Sequence, residues 1–367
     1  MKKIDLRLAS SFFEKIGRFA NNLGYWKFCL LFTAIFVTKS GFRGIQPWGD
    51  FTPVINFPKP EITFSSNSYG LIIISKLFNA TNQQTYFILN IVLLVVSIVV
   101  LYYLIYKSFP SFKAKLLVLF FVSSPIFIVL TGNIGRHDLL TITGMLGFFI
   151  VKKQSSKCLF LILGCLGSPE HIFVAFFLYY MGIKIYAYKE KEFDAKFSLL
   201  FTLLYNILSN IWISTQNGGN NRLENIILEP GFIKIGIRNF FNNVTLEWYS
   251  YFGFYWFSLI IALVFLEFKL RVKIFCLLLI PLLFTIIMVD KTRDFVVAII
   301  PLALLVHKQI FDFLLVKFKN VKSDNANIYL GLFIYLIMIF PSIEITFEGR
   351  PRAPFEWAIT KLLEAFN

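Results

Sequence analysis

Two stretches of this chain, residues 85–106 and 116–132, contain no Asp, Glu, Lys or Arg. A helix of that length is at home in water only when polar side chains cover one face, and these stretches have too few to do so. Crossing a bilayer takes about 20 apolar residues, and further runs along the sequence approach that length. Composition agrees: 57% of the 367 residues are hydrophobic, 16% are charged, and 45 are Phe. A soluble domain carries about 45–50% apolar and about 25% charged residues. This balance excludes an ordinary soluble enzyme, a disordered protein and a disulfide scaffold. The expected fold class is all-α, a polytopic transmembrane helical bundle forming one integral membrane domain over 1–367.

About eleven spans are predicted, near 25–39, 85–106, 116–132, 139–151, 158–168, 172–188, 197–214, 251–268, 274–289, 295–306 and 327–343. Runs as short as 139–151 and 158–168 also suit re-entrant or buried helices, but the charge pattern favours crossings. With a cytoplasmic amino-terminal segment (1–24) and alternating spans, the inside segments hold the whole formal net charge of +15. Lys and Arg are richest in the short inside loops, as the positive-inside rule requires. Outside lie long loops at 40–84 and 215–250 and a tail at 345–367. Within the first loop, Tyr69–Phe78 is apolar but too short to span, and is expected to lie along the interface as a helix. The first apolar run follows a basic segment without a small-residue cleavage site, so it is expected to remain as a span. The expected location is a bacterial inner membrane, with the carboxy terminus and the active site outside the cytoplasm.

In a soluble chain a charge of +15 would point to nucleic acid. Here the basic residues are not interleaved with surface aromatics on one domain, and no nucleic-acid partner is expected. Cys29, Cys158, Cys165 and Cys276 lie in apolar stretches without CxxC spacing and read as packing residues. With three His in the chain, no metal site is expected.

The unusual polar clusters fall on the outer side. They are Trp48-Gly49-Asp50, Gly135-Arg136-His137-Asp138, Gly167-Ser168-Pro169-Glu170-His171 and Asp290-Lys291-Thr292-Arg293-Asp294. Ionisable groups at span ends are costly unless they are paired, face a cavity or snorkel to the headgroups. Asp50 suits a general base for an attacking hydroxyl, or a loop carboxylate capping a turn. Arg136 and His137 suit charge-assisted bonds to phosphate, or an interfacial ion pair with Asp138. Glu170 and His171 suit a substrate contact below the headgroups, or a pair that satisfies itself. Arg293, spaced three from Asp290 and one from Asp294, suits a carboxylate-oriented phosphate fork, or a turn of solvated charges. The Trp248–Trp256 aromatic run reads first as an interfacial belt, and Trp48 beside Asp50 suits stacking on a sugar ring.

A single span followed by a long outer loop carrying Gly49-Asp50, the Tyr69–Phe78 run and the outward polar loops resemble the GT-C superfamily of integral membrane glycosyltransferases. The resemblance implies that Asp50 is the catalytic base. It implies that outer basic residues, Arg293 with Arg136 and His137, hold the phosphate of a polyprenyl-phosphate sugar donor. Trp48, Asp138, Glu170, His171 and Asp290 would then line the substrate. Members of several branches pair acidic residues in the first loop, whereas Asp50 here is followed by Phe51, so an inverting transfer without a metal cofactor is expected. The acceptor would be a glycan or a lipid, and membrane lipids surround the chain. A polysaccharide polymerase using lipid-diphosphate donors is a neighbouring alternative. A transporter or lipid-linked oligosaccharide flippase is a rival from another class, mildly favoured by Pro125, Pro281 and Pro301 within spans but not by any matching halves.

Overall fold

A computed structural model of the protein describes residues 6–40, 69–132, 134–186, 189–216, 230–242, 244–253, 255–256, 260, 264, 267–286, 291–317 and 323–340. Every regular element among them is an α-helix. In order they are α1 (Leu6–Asn22), α2 (Tyr25–Ser40), α3 (Tyr69–Leu77), α4 (Gln83–Ser108), α5 (Ser111–Ser123), α6 (Pro125–Gly132), α7 (Asp138–Ile150) and α8 (Gln154–Gly167). There follow α9 (Pro169–Tyr186), α10 (Lys189–Gln216), α11 (Pro230–Asn242), α12 (Val244–Phe252), α13 (Phe268–Thr285), α14 (Lys291–Lys317) and α15 (Ser323–Ile339). The all-α expectation is met.

Helix α4 is the one described helix long and apolar enough by itself to cross a membrane. Asn82 starts it by accepting a 2.9 Å hydrogen bond from the Thr85 N–H, an N-cap that satisfies one of the first-turn donors. At 1.5 Å per residue its 26 residues reach about 39 Å. Most of α4 is not buried, and Ile88, Val92, Val95, Val96 and Val99 stand exposed along it. Such a face is costly in water and costs nothing against hydrocarbon. Helices α5 and α6 together pass the same test but bend by 58°. The break falls where Ser124 is extended and Pro125, which has no N–H to donate, begins the next helix. Helices α7 and α8 and residues 327–339 are apolar but shorter. Each predicted span except 251–268, much of which lies outside the described residues, coincides with a helix or a helix pair.

The core is aliphatic and aromatic. Phe120 of α5 stacks on Tyr255 with ring centroids 5.5 Å apart and meets Phe333 of α15 at 4.9 Å. Phe148 and Phe149 of α7 pack against Phe176 and Tyr179 of α9. The approach of α7 to α8 is close. A Cβ on Gly144 would lie 2.4 Å from the Gly164 backbone nitrogen, and one on Gly147 would enter the Phe160 ring. Small residues at a helix crossing let backbones approach where no hydrophobic gain drives association.

Among the described residues the ion pairs between helices gather at two opposite levels of this bundle. At one level Lys157 pairs with Asp194, Lys184 with Glu192, and Lys273 donates to the Ile185 carbonyl at 2.9 Å. Lys115 donates to the Asn21 carbonyl at 2.6 Å there too. These are the ends assigned to the cytoplasm by the Lys and Arg count. The other level joins the opposite ends of the same helices and holds the candidate site.

The apolar Tyr69–Phe78 run is a helix over Tyr69–Leu77, with Gly70, Leu71 and Ile72 buried. Gly70 sits so tightly against Leu140 and Leu166 that a Cβ would meet both within 3.0 Å. The amino-terminal segment forms α1, laid along α15.

Candidate functional site

Helices α7, α9 and α14 pack against one another and begin at the same end of the bundle. Each start is chemically marked. Asp138 opens α7, Pro169 and Glu170 open α9, and Arg293 and Asp294 stand in the first turn of α14. Pro suits the first helical position because the N–H it lacks would have no helical partner there. Acidic residues in a first turn complement the positive end of the helix dipole.

Two local devices fix the side chains. Gly135 has φ +88°, a conformation other residues rarely adopt, and the Tyr86 hydroxyl of α4 donates to its carbonyl at 2.5 Å. This straps the turn that presents Arg136 and His137. Gly167 closes α8 onto the start of α7, where an added Cβ would lie 2.3 Å from Thr141 Oγ1 and 2.9 Å from the His137 carbonyl. The contact brings the α8–α9 turn, and His171 after it, beside His137; the two rings lie 6.1 Å apart and nearly parallel.

Arg293 is held between two carboxylates. Its Nε is 3.7 Å from Asp138 Oδ2, and its Nη2 is 3.3 Å from Asp294 Oδ1. His171 Nε2 meets that same Asp294 oxygen at 3.1 Å, while His171 Nδ1 is 2.7 Å from the Ser168 hydroxyl. Either protonation state satisfies this chain. A neutral ring donates from Nε2 to Asp294 and accepts from Ser168; a protonated ring donates to both. Burial alone would push the His171 pKa down, but the bond to Asp294, with the nearby charges of Asp294, Asp138 and Glu170, outweighs it and holds the ring above the usual histidine value. His137 Nε2 is 3.8 Å from Asp138 Oδ1.

Burial grades through the cluster. The Asp138 side chain is 1% exposed, Arg293 13%, Asp294 18% and His171 19%. Asp138 is therefore the floor, and Arg293, Asp294 and His171 form the reachable rim.

The structure thus brings His137, Asp138, His171 and Arg293 together, with Arg136 and Glu170 on the same turns. Trp48, Asp50 and Asp290 lie outside the described residues. Ser168 was assigned no role from sequence, although a Ser three residues before His171 was visible there, and Asp294 was read only as a carboxylate that could orient Arg293. Behind Arg293, Thr292 is fully buried and its hydroxyl lies 2.7 Å from that of Ser250 on α12, fixing the first turn of α14. Among the described residues no group of three His, Cys, Asp or Glu is arranged to hold a metal ion. Comparison of the chain with protein-family profiles, curated proteins and solved structures gives no match.

Proposed function

We propose that this chain is a multi-span membrane glycosyltransferase, of about eleven crossings, that draws on a polyprenyl-phosphate-linked sugar at the extracytoplasmic face. The observation that carries the reading is the convergence of three helix starts with Arg293, Arg136 and His171 at one end of the bundle. Helix N-termini and a guanidinium fork are both complementary to phosphate oxygens, and their effects add in a water-poor site. The apolar flanks of the helices suit an isoprenoid chain.

In this reading the acceptor hydroxyl gives its proton to a carboxylate, Asp50 by the GT-C resemblance, and its oxygen bonds to the anomeric carbon. The bond from that carbon to the phosphate oxygen breaks, and the electron pair leaves with the phosphate. Arg293 stabilises the charge that collects there.

The test is lipid binding by the purified full chain, read by native mass spectrometry with undecaprenyl phosphate as probe. Wild type retains the lipid. Arg293→Ala loses at least ~10-fold in affinity, the scale of a charged hydrogen bond, and Lys153→Ala at the opposite end does not. Equal loss in both variants, or no retention by the wild type, sinks the reading. Tighter retention of undecaprenyl diphosphate redirects it to a lipid-diphosphate polymerase.

A further inference from the structure

Asp294 is engaged on one side only. Among the described residues its hydrogen bonds and ion pairs, from His171 Nε2, Arg293 Nε and Arg293 Nη2, all end on Oδ1. The side chain is 18% exposed, whereas Asp138 beneath the same arginine is 1% exposed. A carboxylate with one oxygen clamped by an imidazole and a guanidinium is fixed in orientation. Its second oxygen, Oδ2, is a pre-positioned acceptor at the rim of the cluster.

Position decides which group that acceptor meets. Arg293 Nη2 is 3.3 Å from Asp294 Oδ1, so a phosphate on the Arg293 fork has Asp294 as its neighbour. In an inverting displacement the proton acceptor stands on the face of the sugar opposite the departing phosphate. Asp294 stands on the phosphate side, so it is not that base. The hydroxyl nearest the leaving oxygen is the one on the ring carbon next to the anomeric carbon, the 2-hydroxyl. A hydrogen bond from the 2-hydroxyl to a carboxylate strengthens as positive charge develops on the ring.

We infer that Asp294 Oδ2 accepts the 2-hydroxyl of the donor sugar, which makes the donor a polyprenyl-phosphate sugar with that hydroxyl free. The inference rests on the glycosyltransferase reading. It adds a substrate class and a specificity residue. His171 and Ser168 are positioning residues that hold Asp294 in place.

The experiment uses the full chain in lipid nanodiscs with short-chain polyprenyl-phosphate glucose, mannose and galactose, each paired with its 2-deoxy counterpart. Release of polyprenyl phosphate is followed, with water taking the place of the acceptor hydroxyl at the anomeric carbon. Wild type is expected to prefer a 2-hydroxy donor over its 2-deoxy partner by roughly 10⁴-fold in kcat/KM, because a site built around a hydroxyl is left unpaired by the analogue lacking it. In Asp294→Asn the remaining carboxamide oxygen serves His171 and Arg293, and an N–H replaces Oδ2. That variant should lose the preference by slowing the 2-hydroxy donor to the 2-deoxy rate, with undecaprenyl phosphate binding kept. If Asp294→Asn slows both donors by the same factor, Asp294 merely positions Arg293 and the inference falls. A wild type that binds the lipid phosphate but turns over none of these donors, or does not discriminate within a pair, also overturns it while leaving the phosphate site standing. A wild type that binds no polyprenyl phosphate removes the glycosyltransferase reading and the inference together.

Discussion

His171 carries the sign of the site's pH response. Its pKa in the folded chain is held above the unfolded value of about 6.5 by the Asp294 contact, despite burial. A proton bound more tightly in the folded state stabilises fully below the unfolded pKa, and that stabilisation is lost as pH climbs through the raised value. Thermal melting in detergent should therefore show Tm falling as the pH rises from about 6.5, and His171→Gln should flatten that slope. A wild-type Tm that rises across the same interval contradicts the assignment. Arg293 behaves differently, because a guanidinium keeps its charge throughout and has only its partners to change. The cluster as described is poised, with a permanent cation and a titratable one sharing a single carboxylate oxygen.

The α7–α8 pair sets the geometry at the next scale, since the Gly144–Gly164 approach determines how far the Gly167 turn reaches toward His137. Gly144→Ala must push a backbone nitrogen away, which places it with overpacked cores that lose about 1–3 kcal/mol. Gly24→Ala is the matched control, because nothing lies within 4 Å of its Cβ position, and its effect should stay below about 1 kcal/mol. Unfolding in mixed detergent micelles compares the two; equal losses would mean that the α7–α8 crossing is looser than described. The apolar helices were legible in the sequence, because an apolar run is a local signal; the break at Pro125 within the 116–132 run, and helices α1 and α11 in the 1–24 segment and the 215–250 loop, were not read from it. The gathering of residues 135–138, 168–171 and 293–294 was legible too, since each cluster ended an apolar run on the same side of an alternating chain. Illegible was which carboxylate faces which cation. The 138–293 pairing and the choice of Asp294 Oδ1 over Oδ2 depend on helix rotation, which apolar all-round helices do not encode in a hydrophobic stripe. The Gly144–Gly164 contact was equally hidden, because a glycine among leucines says nothing of its partner.

At the scale of the whole molecule, two opposite levels of ion pairs among the described residues predict sidedness. Ser155 is exposed in the first turn of α8 at the Lys157 level, and Gln84 is exposed at the opposite level in the first turn of α4. In intact cells an impermeant thiol reagent should label Gln84→Cys and spare Ser155→Cys until the membrane is permeabilised. Labelling of Ser155→Cys from outside would reverse the orientation and take the outer-face site with it. Closure of the bundle also depends on its two most distant described helices. Gly17 of α1 lies so close to Asn327 of α15 that a Cβ would be 1.8 Å from the Asn327 carbonyl, and Asn21 reaches the Asn327 side chain across 306 positions. A ribosome adding about 5–20 residues per second needs about 15–60 s to make that distance. For that interval α1 exists without the helix it is shaped to meet, so the newborn chain must shelter its glycine-notched face on lipid or a chaperone until almost the last helix arrives.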